Sequence, residues 1–196
     1  SLLGDFKDKY PDVNIHLKVS NSDGIVSMVE NNAIDLGVVE APVTNKNLLV
    51  EDCRTDQLVA ISTPNHPLAK KKRVRLEDLL DFSFICREEG SGTREVISEY
   101  VNKVDKTGHG LNISMELGSP EAVKGAVEAG MGISVVSRAT IQKELKLGTL
   151  VEIPLDPPLE RPFSFVHQKQ KFRHRVMEKL LNLARAYCED HAEDNG

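Results

Sequence analysis

Three times along this chain an apolar run ends in a turn rich in glycine and hydroxyl side chains, and each turn opens an amphipathic helix. The first run is the strict alternation Val13, Ile15, Leu17, Val19; Ser20-Asn21-Ser22-Asp23-Gly24 and a helix face of Ile25, Val26, Met28 and Val29 follow it. The second is Phe82-Ser83-Phe84-Ile85-Cys86, then Glu88-Glu89-Gly90-Ser91-Gly92-Thr93-Arg94, then Val96, Ile97, Tyr100, Val101 and Val104. The third is Ile113, Met115, Leu117, then Gly118-Ser119-Pro120-Glu121 with proline at a first helical position, then Ala122, Val123, Ala126 and Val127. The first run, its helix and the later run Ile34 to Val39 read as a β-α-β unit, whose crossover implies parallel pairing, and the chain reads as an α/β fold.

The same turns are the candidate functional positions. A helix that begins right after a strand leaves backbone N–H groups open at the positive end of its dipole, which suits an anion. Gly90 and Gly92 allow close backbone approach, Ser91, Gly92 and Thr93 offer amides and hydroxyls, and Arg94 offers a charged fork. An ordinary helix cap accounts for any one of these turns; the recurrence favours binding. Ser119 ranks next, and Ser22 and the loop at Ala41-Pro42 rank after it.

Between the turns, Leu2, Leu3, Phe6 and Tyr10 predict a helix that Pro11 ends, and Ile34 to Val39 predicts a buried strand. Strands are expected near Leu48–Val50 and Leu58–Ser62, and Thr63 to Arg75 reads as a linker. Further strands are expected at 133–136, 150–153 and 163–166, with a second proline-rich crossing at Pro154 to Pro162. The last helix carries Val176, Leu180, Leu183, Ala184 and Tyr187. The two crossings give residues 1–62 plus 160–196 as one lobe and 63–159 as the other, hinged, with a cleft as the natural ligand site.

Composition narrows the function classes. Charged residues are 28% and hydrophobic residues 40%, and no stretch approaches the ~20 apolar residues of a spanning helix. The formal charge of −5 argues against a grip on a phosphate backbone, and Lys70-Lys71-Lys72-Arg73 reads as a solvated loop before it reads as a nucleic-acid contact. Cys53, Cys86 and Cys188 are three and widely spaced, so neither a disulfide framework nor a metal-ligand spacing is expected, and a reducing cytoplasm fits them. Gly90-Ser91-Gly92 is not a nucleophile elbow, no phosphate-loop lysine follows, and His16, His66, His109, His167, His174 and His191 are scattered. No enzyme and no cofactor are expected. Aromatic residues at 5% without tryptophan do not suggest a stacking pocket.

Four segments in this order, Asp35-Leu36-Gly37-Val38-Val39-Glu40, Pro64-Asn65-His66-Pro67-Leu68, Arg87 to Arg94 and Leu117-Gly118-Ser119-Pro120-Glu121-Ala122, closely resemble the effector-binding domain of LysR-type transcriptional regulators. Ala129-Gly130-Met131-Gly132-Ile133-Ser134 is similar to the same family's closing pattern. The resemblance implies a type 2 periplasmic-binding-protein-like fold of two Rossmann-like subdomains joined by two crossover segments. It further implies a small-molecule inducer in the cleft, which the helix starts favour as an anion, a cytoplasmic homodimer or tetramer, and DNA binding through a helix-turn-helix domain not in this chain. Family members begin this domain with a strand and an inducer-contacting loop, so the first lobe is expected to lack its first strand. The alternative is a solute-binding receptor of a transport system, which shares the fold.

Overall fold

Pro11 ends the first helix where the spacing predicts. The computed structural model describes residues 2–105, 108, 110–169 and 175–190, and α1 covers Leu2–Lys9. Then come α2 (Ser22–Glu30), β1 (Gly37–Val39), β2 (Leu48–Ser62), β3 (Phe84–Arg87), α3 (Gly92–Val104), β4 (Ile113–Leu117) and α4 (Pro120–Glu128). The chain continues through β5 (Ser134–Ser137), α5 (Gln142–Leu147), β6 (Val151–Ile153), β7 (Leu159–Gln168) and α6 (Arg175–Asp190). It divides into two compact units, Ser1–Arg54 with Pro162–Gly196, and Thr55–Arg161. The two expected strands at 48–50 and 58–62 are one, because polar residues from Glu51 to Gln57 extend the ladder rather than interrupt it.

In the second unit β3 and β4 pair in parallel, Ile85 with Met115 and Arg87 with Leu117, with α3 as the crossover. Residues Leu58–Ile61 of β2 run antiparallel to β5, and Ala60–Ser62 to β6. Both faces of these strands are buried: Leu58, Ala60, Phe84 and Cys86 join one apolar cluster, Val59, Ile61, Ile85 and Val136 another. That is why they read as continuous apolar runs. Thr63 to Arg75 is a packed part of this unit rather than a linker. A 3-10 turn at Pro67–Lys70 buries Leu68, and Val74 donates its N–H to Pro154 C=O at 3.1 Å. The basic run from Lys70 to Arg73 stays exposed.

In the first unit β1 pairs antiparallel with β7, Gly37 opposite Val166 and Val39 opposite Ser164. The expected parallel β-α-β unit with residues 13–19 is absent. That segment has the alternation of a strand but no strand partner among the described residues, and Leu17 and Val19 are 74% and 89% exposed. Alternation supplies a face, whereas a strand also needs a neighbouring backbone for its hydrogen bonds. The buried face of α6 is Met177, Leu181, Ala184 and Cys188, packed with Phe165; Val176 is exposed. The cysteine expectation is corrected as well: Cys53 on β2 and Cys188 on α6 form a disulfide, since the fold brings together positions 135 apart in sequence.

Candidate functional site

The turn before α3 is set by Gly90, whose φ of 81° is cheap only for glycine, and it closes with Ser91 N–H donating to Glu88 C=O at 3.3 Å. Ser91 is the N-cap residue and is buried, but its hydroxyl does not make the side-chain cap bond. The first helical bond runs from Glu95 N–H to Ser91 C=O, so the amides of Gly92, Thr93 and Arg94 have no partner within the helix. Because β3 and β4 are parallel neighbours, α3 and α4 start at the same carboxyl edge. Glu88 N–H donates to Leu117 C=O at 3.3 Å, and Ser119 follows two residues later. The structure thereby brings Ser91, Gly92, Thr93 and Ser119 to one edge of the pair, where open α/β sheets bind ligands.

The other candidates are placed differently. The Ser119 hydroxyl is engaged, accepting from Ala122 N–H at 3.1 Å as a cap with Pro120 behind it. The Arg94 guanidinium donates to Glu116 and to Arg87 C=O at 3.1 Å, so its charge is already met by a carboxylate. Burial disfavours its charge, but the Glu116 contact outweighs burial and raises its pKa. Ser22 is the first residue of α2 and is not its cap; Asn21 takes that role, accepting from Gly24 N–H at 2.9 Å. Pro42 is exposed, next to buried Ala41. Ser22 and Pro42 belong to the first unit, the other candidates to the second.

Sequence reasoning missed the buried polar cluster behind α3. Arg161, 3% exposed, donates to Thr93 Oγ1 at 2.6 Å and holds Asp56 Oδ2 through two nitrogens at 2.7 and 2.8 Å. Asp56 also accepts from the Ser137 hydroxyl at 2.8 Å. Three strands, β2, β5 and β7, thus fix the rotamer of Thr93 in the first turn of α3. The available signal was a lone arginine, Arg161, against Pro162 at the head of an apolar run; its partners lie 68 and 105 residues away.

Of the histidines, His66 caps the Pro67–Lys70 turn, and burial lowers its pKa. His167 is buried with Nε2 3.1 Å from Glu51. His16 is exposed, and His109, His174 and His191 lie outside the described residues. Among the described residues no group of three or more His, Cys, Asp or Glu is placed to hold a metal, and no helix is long and apolar enough to cross a membrane. The first unit carries an open apolar groove of about 1050 Å³, lined by α1, residues 13–18, β1 and α6. It contains none of the candidate residues.

Residues 1–189 match the family model described as the LysR substrate binding domain. The chain belongs to that family. An HTH-type transcriptional regulator of Escherichia coli strain K12, YeiE, is 34% identical over 191 residues, covering 96% of this chain and 62% of that protein. The HTH-type transcriptional activator CmpR of Synechocystis is 33% identical over 189 residues, with 96% and 61% covered. This LysR domain therefore spans a little over three fifths of the length of these relatives. Among solved structures, the Synechocystis PCC6803 CcmR regulatory domain in complex with 2-PG superposes with a TM-score of 0.87 at 33% identity, covering 96% of this chain and 90% of that one. The effector-binding domain of QuiR in complex with shikimate gives 0.85 at 21% identity, with 97% and 90% covered, a likeness of fold alone. The fold of this LysR domain is type 2 periplasmic-binding-protein-like, and its relatives are transcriptional regulators rather than transport receptors or enzymes.

Proposed function

We propose that this domain senses a small anionic metabolite at the carboxyl edge of β3 and β4, through the open amides of Gly92 and Thr93 and the hydroxyls of Ser91 and Thr93. Within a longer regulator, binding would bias DNA binding by a helix-turn-helix domain outside these 196 residues. The setting would be a cytoplasmic homodimer or tetramer. Ser119 is a neighbouring contact whose hydroxyl already caps α4, and Arg94 contributes little because Glu116 occupies it. Ser22 and Pro42 remain candidates within their own unit.

The observation that carries the reading is the likeness to a regulatory domain solved with 2-PG, at an identity high enough to extend beyond the fold. The geometry of α3 adds a physical reason for an anion, since a buried helix start presents partial positive charge. A ligand acts only through its different affinities for two arrangements of the regulator.

The test is a thermal-shift and calorimetric panel of small carboxylates, phosphate esters and sulfate, with 2-PG and shikimate included. A ligand at 100 times its Kd is expected to stabilise the domain by about 2.7 kcal/mol. The gain is expected to shrink by more than half in Ser91→Ala with Thr93→Val. A panel in which no anion moves the melting temperature, or one in which the double variant binds as well as the parent, overturns the proposal.

A further inference from the structure

Cys53 sits near the middle of β2 and Cys188 in the last turn of α6, with their Cα atoms 5.7 Å apart in the disulfide. We propose that this pair is a reversible exchange site for low-molecular-weight thiols and disulfides, and that its redox state fastens or frees the C-terminal end of α6 on β2.

Access comes first. Both cysteines line the open groove of the first unit. Cys188 is 7% exposed while Cys53 is half-buried, so Cys53 is the more open of the two to a small thiol entering the groove. A thiolate attacks Cys53 Sγ, forming a mixed disulfide and breaking the Cys53–Cys188 bond. The electron pair leaves on Cys188 sulfur, which takes up a proton. A second thiolate then attacks the sulfur of the bound small thiol, releasing a small-molecule disulfide and the Cys53 thiolate, which is protonated in turn. The balance is one protein disulfide and two thiols converted to two protein thiols and one small disulfide.

Reversal is favoured because α6 does not depend on the disulfide for its position. Met177, Leu181 and Ala184 pack on the Phe165 cluster independently, and Cys188 is the next residue along that buried stripe. Glu51, two residues from Cys53 on the same face of β2, holds Arg185, three residues from Cys188 on α6, and also meets His167. Burial disfavours the Glu51 charge, but the Arg185 and His167 contacts outweigh it, so the carboxyl lies below its ordinary pKa. The ion pair and the disulfide are thus adjacent rungs between the same two elements. With the first rung intact, the two thiols stay at a Cα spacing within the ordinary disulfide range, and re-oxidation is intramolecular.

What the disulfide adds is local. Cys188 is the last buried residue of α6 among those described, so freeing it loosens the end of the helix and leaves the stripe before it docked. Cys86 does not compete. It lies in the other unit, buried on β3, and burial raises its thiol pKa and keeps it protonated.

The experiment equilibrates the native chain in glutathione buffers of varied ratio, traps thiols by alkylation and reads them by mass spectrometry, alongside hydrogen exchange. Cys53 and Cys188 are expected to change together across a single midpoint, with Cys86 unlabelled until the chain is denatured. In the reduced chain, amides at 184–190 are expected to exchange about tenfold faster while those at 177–183 hold their protection. Cys188→Ser treated with oxidised glutathione is expected to trap the mixed disulfide on Cys53. A disulfide that survives ~10 mM reduced glutathione in the native chain, thiols that do not re-pair on re-oxidation, or equal exchange at 184–190 in both states overturns the proposal. The redox titration uses the unmodified chain, so its outcome stands even where the Cys188→Ser variant fails to fold.

Discussion

Removing the Asp56 carboxylate is the sharpest test of the cluster that holds the start of α3. Arg161 is 3% exposed and meets Asp56 through two contacts of 2.7 and 2.8 Å, and the Asp56 side chain is itself 10% exposed. Asp56→Ala leaves the guanidinium in place without that counter-charge, and it takes from Ser137 its acceptor. Breaking a buried pair from one side costs about 3–5 kcal/mol. The partial exposure of Asp56 places the expectation near the lower end, about 3 kcal/mol. Arg161→Met strands a carboxylate that water partly reaches and is expected to cost about 2 kcal/mol. Both changes together remove the pair as a unit, so the double variant is expected to cost at least about 1 kcal/mol less than the sum of the singles. Urea unfolding of the four chains measures these values, and hydrogen exchange of α3 amides places the loss in the second unit. A cost for Asp56→Ala below about 1 kcal/mol, or single effects that add within about 0.5 kcal/mol, refutes the idea that a desolvated pair fixes Thr93.

Two other perturbations follow from the second unit. Lys124, 7% exposed, donates to Thr140 C=O at 2.9 Å and pairs with Glu144 at 2.9 Å and Glu121 at 3.2 Å. Hydrogen bonding to Lys124 outweighs burial and lowers the Glu144 pKa, while the lysine, disfavoured by burial, is raised by Glu144 and Glu121. The carboxylate contribution is therefore full above about pH 4.5 and lost as pH falls through the depressed folded value; the lysine contribution is full below about pH 10.5 and lost above it. Lys124→Met is expected to cost about 2–4 kcal/mol at pH 7, and urea midpoints should show the difference from the parent narrowing toward pH 3; a pH-independent difference contradicts the pairing. Gly132→Ala places a Cβ 2.3 Å from the Ser83 carbonyl oxygen, where the backbone must move; a loss of about 2–3 kcal/mol by the same measurement is expected, and a neutral substitution refutes it.

Much of the candidate site was legible because it is written locally. Gly90 takes a left-handed turn, Ser119-Pro120 opens a capped helix, and the apolar run ending at Cys86 holds β3, which starts two residues into it at Phe84. Asn21 rather than Ser22 caps α2, a one-residue difference that hydroxyl and amide side chains do not resolve in sequence. What stayed illegible is non-local. Arg161, Asp56, Thr93 and Ser137 are ordinary residues until three strands bring them together.

By itself, then, the sequence determined most of the helices, the turns that open α3 and α4, and the family, because periodicity, caps and turn chemistry act over a few residues. Tertiary structure decided the rest. It withheld a strand from Val13 to Val19 because no backbone among the described residues pairs with them, despite their alternation. It joined Cys53 to Cys188 across 135 residues and set a buried ion pair behind Thr93. Those outcomes depend on which distant segments become neighbours, and spacing along a chain does not carry that information.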